Sequence, residues 1–355
     1  MKRFLSAFVP VVVASLFLLL VSCSRSGVVD GAAVKLVQPG KTLSLSPDAS
    51  VEGRFAEVLN CFAVQVVSDS IIVFQVPASE ESPYHFRAYS LNTLDCLGSF
   101  VRNGRGPGEM VSPHVSRSNA EERYLALSDN ALGQAYLVDV EETLRTGNLA
   151  LAETFDLPET SVLDWMPLPG SGQFVMLYEG DEVAFCLKDG SGSTVKTIYP
   201  YGSLRGERYV TYLSSILVSR VQTSDICEVM MFFPQINLID GETGRIRSVA
   251  VDKSYRNWES VANSAVGMDT MNHYVDATSA SGYIFAAYKG LSLGEMMQGG
   301  SPTSIHVFNW DGDFLYDIVL EEDIDNIAYD SRSGYLYGFD KTSGKVVRYD
   351  LGGLL

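Results

Sequence analysis

Four side chains with acid–base or metal-ligating chemistry fall on segments that alternate like strands. Asp164 and Asp276 carry carboxylates, and His114 and His273 carry imidazoles. Carboxylate oxygens bind Ca²⁺, and imidazole is a common metal ligand and general base. If these segments line a central channel, the two carboxylates can hold a cation at its mouth or hydrogen-bond neighbouring strands, and we favour the second interpretation. The histidines would lie on opposite sides of the channel, so we predict no shared metal site.

The sequence motifs of several enzyme classes are absent. The glycine-rich segment G-R-G-P-G at residues 104–108 lacks the Gly-Lys-Ser/Thr ending of a P-loop. The chain has no H-E-x-x-H zinc motif. The members of a nucleophilic triad are scattered along a sequence, so a triad stays open. We predict no catalytic residue and no cofactor, with Ca²⁺ at the channel as an unsupported alternative.

The N-terminus has the order of a targeting signal. Two basic residues precede an apolar run over residues 4–21, and L-V-S-C at residues 20–23 closes it. The placement of Cys23 resembles the lipobox of bacterial lipoproteins, in which this cysteine is lipidated. A plain signal peptide and a transmembrane helix are the alternatives, since about 18 apolar residues are near the minimum for spanning. We predict a signal peptide over residues 1–22, a tether over residues 23–40 and a membrane anchor at Cys23.

The charge of the chain excludes one class of partner. Its formal net charge is −17, and there is no basic stripe, which argues against nucleic-acid binding. Residues 24–29 contain no acid, whereas an acidic run after the lipidated cysteine marks surface lipoproteins in some Gram-negative groups. We therefore predict a monomer in the bacterial cell envelope, on the outer membrane and facing the periplasm.

Four cysteines follow the signal segment. Cys61, Cys96, Cys186 and Cys227 match no metal or C-x-x-C spacing. Cys61 and Cys96 fall on the first and fourth strands of one predicted sheet, three strand spacings of about 4.8 Å apart. This is too far for a disulfide, so we predict four buried free thiols.

Short apolar runs separated by turn residues repeat along the chain. In residues 324–350, large apolar side chains recur at period two in three runs, separated by D-S-R-S-G and D-K-T-S-G. Asp and Gly suit tight turns, and such a meander needs stacked copies to bury both of its faces. Six units of about 48 residues fit between residues 61 and 350, which is typical of propeller blades.

We therefore predict an all-β, six-bladed β-propeller over residues 41–355. An N-terminal strand at residues 41–46 would pair with the last blade and leave no free edge. An open β-sandwich is the alternative, but it would not explain the regular spacing. The predicted strands are 61–67, 70–76, 84–90 and 96–101; 112–118, 123–128, 134–140 and 150–157; 161–167, 173–178, 183–188 and 194–199; 214–221, 226–231, 235–239 and 245–251; 272–277, 283–287, 303–309 and 313–320; and the three runs of 324–350.

Two sequence features resemble a known family. The segment N-G-R-G-P-G-E at residues 103–109, followed by Pro113, is similar to the G-x-G-P-G-E segment of NHL-type propellers. Together with the I-A-Y-D, L-Y-G-F-D and V-V-R-Y-D runs of the last unit, it resembles more closely the six-bladed, TolB-like propeller lipoproteins of the BF3164-like family. The resemblance covers residues 40–350, although residues 201–206 keep only a trace of the glycine motif. It implies the fold and an envelope location, but no settled biochemical activity.

Strand order predicts which face of the propeller binds. Connections from the fourth strand to the next blade, and from the second to the third strand, lie on one face. That face receives the long segments 77–83, 102–111, 200–211, 252–271 and 288–302, and we call it the long-loop face. The opposite, short-turn face receives mostly tight turns. Loops beyond about 12–15 residues are uncommon unless they are functional or disordered, so we predict binding on the long-loop face.

Arginine and aromatic residues are favoured at binding hot spots. Some of the residues concerned have a structural alternative. Arg105 and Glu109 can pair across their turn, and Tyr255 and Trp258 can hold their loop against the blade. Met296 and Met297 can either offer an adaptable apolar contact or pack beneath their loop. The candidate contacts are Arg102, Arg105, Glu109, His114, Arg205, Arg208, Tyr255, Arg256, Trp258 and His273.

The sequence therefore predicts a lipid-anchored envelope propeller that binds a protein, peptide or glycan on its long-loop face. One alternative is a cation-dependent hydrolase or lyase with its site at the mouth of the central channel. Another is a purely scaffolding lipoprotein.

Overall fold

Six sheets, each built mainly of antiparallel strands, follow one another along the chain and confirm the six-bladed propeller. The computed structural model describes residues 27–68, 70–117, 123–159, 161–280 and 282–355, so the signal segment and Cys23 lie outside it. The strands are β1 (Val34–Leu36), β2 (Lys41–Leu45), β3 (Ala63–Val67), β4 (Ile71–Gln75), β5 (Tyr84–Ser90), β6 (Cys96–Asn103), β7 (Glu109–Met110), β8 (Pro113–Val115), β9 (Leu125–Asp129), β10 (Gln134–Val138), β11 (Leu151–Asp156), β12 (Ser161–Leu168), β13 (Gly172–Glu179), β14 (Glu182–Lys188), β15 (Thr194–Ile198), β16 (Ser215–Ser219), β17 (Ile226–Met230), β18 (Gln235–Ile239), β19 (Ile246–Ala250), β20 (Met271–Ala280), β21 (Tyr283–Ser292), β22 (Ser304–Asn309), β23 (Phe314–Leu320), β24 (Ile324–Asp330), β25 (Tyr335–Asp340) and β26 (Lys345–Asp350).

Blades one to six comprise β3–β7, β8–β11, β12–β15, β16–β19, β20–β23 and β24–β26, with the first strand of each innermost. The described helices are short, and they stand in the connections between strands. They are α1 (Val140–Thr146), α2 (Trp258–Ala262) and α3 (Leu293–Gln298), with 3₁₀ turns at Ala49–Val51, Pro169–Ser171, Glu207–Tyr209 and Lys253–Asn257.

Turn chemistry fixes the register of the last blade, as its sequence predicts. The carboxylate of Asp330 accepts from the N–H groups of Arg332 and Ser333, and Gly334 follows with a positive φ of 76°. The carboxylate of Asp340 accepts from Thr342 N–H in the same way before Gly344. Each turn thus places an Asx hydrogen bond and a left-handed glycine where the hairpin requires them.

The N-terminal strands join the outer edges of blades, but not the edge that we predicted. β2 pairs in parallel with β23 of blade five, and β1 pairs in parallel with β19 of blade four. Blade six keeps three strands, and its outer edge is covered by the loop after β2, in which Asp48 N–H donates to Arg348 O at 2.7 Å. The pairing of residues 41–46 with the last blade was therefore wrong, because apolar side chains of this loop cover that edge instead.

Blade six closes the ring by packing directly on blade one. Phe55 and Val58 of the covering loop share one buried cluster with Phe74 of blade one and Tyr337 and Phe339 of blade six. At the inner strands, the Asn326 side chain also donates to the Cys61 carbonyl at 3.3 Å. Apolar burial and this hydrogen bond thus seal the ring between its last and first blades.

The propeller begins earlier than the predicted boundary at residue 41. Val28 and Val29 are buried in the cluster between blades three and four. Asp30 N–H donates to Pro200 O at 2.9 Å, and its carboxylate accepts from Ser203 N–H and Oγ. From Val28 onward, the predicted tether of residues 23–40 is therefore part of the folded domain.

The four cysteines are free thiols, as predicted, but one is not buried. Cys61, Cys186 and Cys227 are buried, whereas Cys96 is exposed at the start of β6. Cys96 and its neighbour Leu97 are both exposed, and β7 pairs with β6 only at its other end, at Arg102 and Asn103. The expectation of a buried Cys96 was therefore wrong.

An arginine fills the centre of the ring. Arg117, after the inner strand of blade two, bridges the backbone of Val218 in blade four. Its guanidinium donates to the Val64 carbonyl of blade one at 2.8 Å and pairs with Asp276 of blade five at 2.9 Å. Asp276 also accepts from Ile327 N–H of blade six at 2.8 Å. The ion pair and its hydrogen bonds thus connect blades one, two, five and six at the axis.

Candidate binding cleft on the long-loop face

The long connections around blade five contact one another on a single face, as the strand order predicts. Leu293 N–H donates to Thr270 O at 2.9 Å, and Gly294 N–H donates to Met268 O at 2.8 Å. The segments that we predicted as irregular contain helices: α2 lies between blades four and five, and α3 lies between β21 and β22. A capping box of Ser292 and Glu295 fixes the start of α3.

A cleft of about 640 Å³ opens between blades four and five on this face. Its walls come from the connection into blade five, the β17–β18 turn of blade four and the inner strands of blade five. It is lined by Tyr212, Phe232, Phe233, Pro234, Asp252, Ser254, Asn257, Val261, Ser264, Ala265, Gly267, Met268, Asp269, Thr270, Met271, His273, Tyr288 and Gly290.

A column of aromatic and imidazole rings backs this cleft. The His273 Nδ1 atom lies 3.4 Å from the Tyr288 hydroxyl. The ring of Tyr288 stacks on His306 at 4.3 Å between centroids, and the Tyr274 hydroxyl lies 3.2 Å from His306 Nδ1. Burial lowers the pKa of His273 to about 4 and that of His306 to about 3. Both imidazoles are therefore neutral at pH 7.

The side chains lining the cleft that are charged at pH 7 are carboxylates. Hydrogen bonds from the Ser254 hydroxyl and backbone N–H hold the pKa of Asp252 below its usual range. Asp269 is exposed on the same connection. Since no Lys or Arg lines the cleft, its field favours a ligand with positive charge or hydrogen-bond donors.

Exposed apolar side chains surround the cleft. Met268 is 55% exposed and Met271 is also exposed, and both line the cleft. Val266, which stands between the lining residues Ala265 and Gly267, is exposed as well. Methionine side chains are flexible and polarizable, and they adapt to irregular apolar partners. Exposed apolar groups gathered at a cleft mark an interaction surface.

The predicted residues of the glycine loop lie on the surface, away from the cleft. Glu109 accepts from Gly106 N–H at 2.9 Å and pairs with Arg102 at 3.8 Å. Its partner is thus Arg102, and the alternative pairing with Arg105 was wrong. A Cβ at Gly104 would fall 2.0 Å from Glu109 Oε2, so the glycine leaves room for this carboxylate.

The other predicted contacts divide into surface cations and loop anchors. Arg205 pairs with Glu182 at 2.5 Å, and Arg208 and Arg256 stack on neighbouring tyrosine rings. Tyr255 and Trp258 are buried, so they hold their loop on the blade and do not present a contact surface. Of the ten predicted contacts, only His273 lines the cleft.

The predicted channel residues are held in protein contacts. Asp164 accepts from Trp165 N–H at 2.8 Å and lies 3.7 Å from Nε2 of the solvent-exposed His114. Burial raises the pKa of Asp276, and Arg117 counteracts part of this effect. The hydrogen bond of Asp276 to Ile327 of blade six confirms the interpretation that we favoured for this carboxylate. Within the described ranges, no three His, Cys, Asp or Glu side chains converge to hold a metal ion.

Sequence reasoning missed most of the cleft lining. We placed Tyr288 in a loop, but it lies within β21, which runs five residues further than predicted. Asp252, also placed in a loop, caps the 3₁₀ turn at Lys253–Asn257. One signal was present: V-G-M-D-T-M at residues 266–271 puts large apolar residues in a connection that has to face solvent.

The comparisons show the fold alone. The chain is similar to a member of the DUF4221 family from Bacteroides vulgatus, at 11% identity and a TM-score of 0.55, covering 82% of this chain and 92% of that one. It is also similar to a Bacteroides fragilis protein inferred to be exported, at 11% identity and a TM-score of 0.50, covering 84% and 88%. No protein-family model and no curated protein matches the sequence.

In the part of the chain that the structure describes, no helix is long and apolar enough to cross a membrane.

Proposed function

We propose that this propeller is a lipid-anchored envelope protein that binds an apolar segment of a partner protein or peptide in the cleft between blades four and five. The observation that carries the proposal is the cleft of about 640 Å³ that is lined by the exposed Met268 and Met271, with the exposed Val266 between two lining residues. Binding would remove this apolar surface from water, which favours association at about 25 cal/mol per Å².

The chemistry of the cleft specifies the partner further. Asp252 and Asp269 favour a segment that carries Lys, Arg or other donors beside its apolar side chains. A glycan is the weaker candidate, because the aromatic rings of Tyr212, Phe232 and Phe233 are buried and present no open stacking platform.

The anchor would hold the propeller close to the membrane. Between Cys23 and the buried Val28 stand four residues, which span at most about 18 Å from Cys23 to Val28. The first described residues contact the connection into blade four, where Asp30 bonds to Pro200 and Ser203. A lipid on Cys23 would therefore sit beside the rim of the long-loop face.

Surface substitutions test the proposal better than loop deletion. Deleting residues 289–300 would remove Lys289, a buried side chain that pairs with Asp323. The double variant Met268→Ser/Met271→Ser changes exposed side chains only. The matched control is Leu151→Ser/Val195→Ser, since both residues are exposed apolar side chains on outer strands of other blades.

The assay is capture of envelope proteins by the intact lipoprotein, quantified by mass spectrometry for the wild type and both variants. We expect the Met268→Ser/Met271→Ser variant to lose at least tenfold of one captured partner, while the control retains it. Equal capture by the cleft variant and the wild type would refute the proposal.

A further inference from the structure

Blade six lacks the fourth strand that the other blades have. In the described chain its sheet has three strands, whereas the sheets of blades one to five have four or five. The chain itself extends two other blades, because β1 joins the outer edge of blade four and β2 that of blade five. The outer position beside β26 of blade six holds no strand of the described residues. An unpaired strand edge is a template for another chain.

The loop after β2 takes up only part of this edge. Asp48 N–H donates to Arg348 O, and no other backbone hydrogen bond joins the described part of this loop to β26. Backbone groups two residues apart in a strand point the same way, so the N–H and C=O of Val346 also point away from β25. Neither group has a hydrogen-bond partner within the residues that the structure describes. Val346 thus offers one donor and one acceptor at the edge.

A cleft of about 590 Å³ lies between this part of β26 and the loop after β2. On the strand side it is lined by the consecutive residues 343–347. Val346 belongs to the buried cluster shared with blade one, whereas Val347 packs against the cluster shared with blade five. Neighbouring residues of a strand face opposite sides of the sheet. A cleft that is lined by both therefore follows the edge of the strand.

The walls of this cleft are mainly apolar, and their charges are paired. Leu59, in the loop wall, is 78% exposed. Lys345 lies 3.8 Å from Glu52, and the lining carboxylate of Asp48 pairs with Arg348 at 2.5 Å. Since these opposite charges balance, the lining complements an uncharged segment and offers no partner to a charged one. The other apolar residues of the loop wall are Pro47, Ala49, Val51, Phe55 and Ala56.

We propose that blade six accepts an extended, uncharged apolar segment of another protein as its fourth strand. The backbone of this segment would pair with the outward N–H and C=O of Val346, and its side chains would contact Leu59 and the rest of the loop wall. Main-chain hydrogen bonds and alternate side chains are the means by which sheet edges recognise extended peptides. The stretch Lys345–Val347 spans about 10 Å, so the segment is short. This site is separate from the cleft between blades four and five and does not depend on the proposed function.

The test measures amide hydrogen exchange in the full-length protein, resolved to single residues by mass spectrometry. The probe is a blocked heptapeptide of alternating valine and threonine. The matched control peptide has proline at its central position, which cannot donate to a strand ladder. We expect the alternating peptide to slow exchange of the outward amides of Val346 and Arg348 by about tenfold, in a saturable manner. The proline peptide should leave both rates unchanged.

The variant Leu59→Ser removes an exposed apolar contact and should weaken binding of the alternating peptide by about tenfold. The control Val195→Ser, on the outer strand of blade three, should bind it like the wild type. Unchanged exchange with the alternating peptide, equal slowing by both peptides, or equal affinity in Leu59→Ser and the wild type would overturn the proposal. Protection of the two amides that grows with protein concentration without peptide would identify a second copy as the occupant and would also overturn it.

Discussion

The central ion pair gives the sharpest stability prediction. Arg117 is 10% exposed at its side chain and Asp276 is 2% exposed, so neither charge is solvated if the other is removed. Truncating one partner of a buried pair costs about 3–5 kcal/mol, because the remaining charge stays buried. We expect Arg117→Met to lower the free energy of unfolding by that amount. Its loss also leaves the Val64 carbonyl without this donor.

The double variant Arg117→Met/Asp276→Leu should regain much of the loss, since replacing a buried ion pair with apolar side chains is often neutral. Urea unfolding followed by circular dichroism measures all four free energies in one cycle. Arg145→Met is the control, because its pair with Glu142 is exposed to solvent and contributes little to stability. If Arg117→Met costs no more than this control, or if the two central substitutions simply add, the reasoning about the central ion pair is wrong.

Three further predictions concern the pH dependence of stability and the room for a side chain at a glycine. Burial lowers the pKa of His306 to about 3, so the unfolded chain takes up this proton first as pH falls below about 6.5. The free energy of unfolding of the wild type should therefore fall by about 1.4 kcal/mol for each pH unit between about pH 6.5 and 3, and His306→Gln should remove this fall. The Arg348 guanidinium is the main reason that the pKa of Asp48 lies at about 2. Asp48→Asn should therefore cost about 1 kcal/mol at pH 7, a difference that shrinks as pH falls from 4 towards 2. Gly104→Ala should lower the free energy of unfolding by about 1 kcal/mol, because the added Cβ would displace Glu109 from its hydrogen bond to Gly106.

Urea or thermal unfolding can contradict each of these three predictions. Parallel stability–pH curves for the wild type and His306→Gln would contradict the first. An unchanged difference for Asp48→Asn down to pH 2 would contradict the second. Gly353→Ala, where an added Cβ meets no atom within 4 Å, is the control for the third. An equal effect at Gly353 and Gly104 would contradict the steric argument.

Period-two patterns and turn residues were sufficient to predict the blades, because both depend on local chemistry. Asp330 and Gly334 make a turn in any context that needs one, so the register of the last blade followed from its sequence. The count of six followed from the regular spacing of such units. The face that receives the long connections followed from strand order alone.

The features that the sequence did not predict depend on tertiary contacts. The loop after β2 covers blade six because Phe55 and Val58 bury against Phe74 and Tyr337, and no local pattern at residues 41–60 reports these partners. Arg117 reaches across the axis through contacts separated by more than fifty residues. The cleft is formed by residues from two blades, so their proximity was visible only in the fold.

Photocrosslinking from the surface of the full-length protein tests the proposed binding at the cleft most directly. A photoreactive amino acid replaces Met268 beside the cleft or, in a separate variant, Val195 on the outer strand of blade three, and the cells are irradiated before lysis. The account predicts a discrete crosslinked partner from position 268 that is absent from position 195. Identical crosslinking patterns at both positions, or none from position 268, would contradict a partner site between blades four and five.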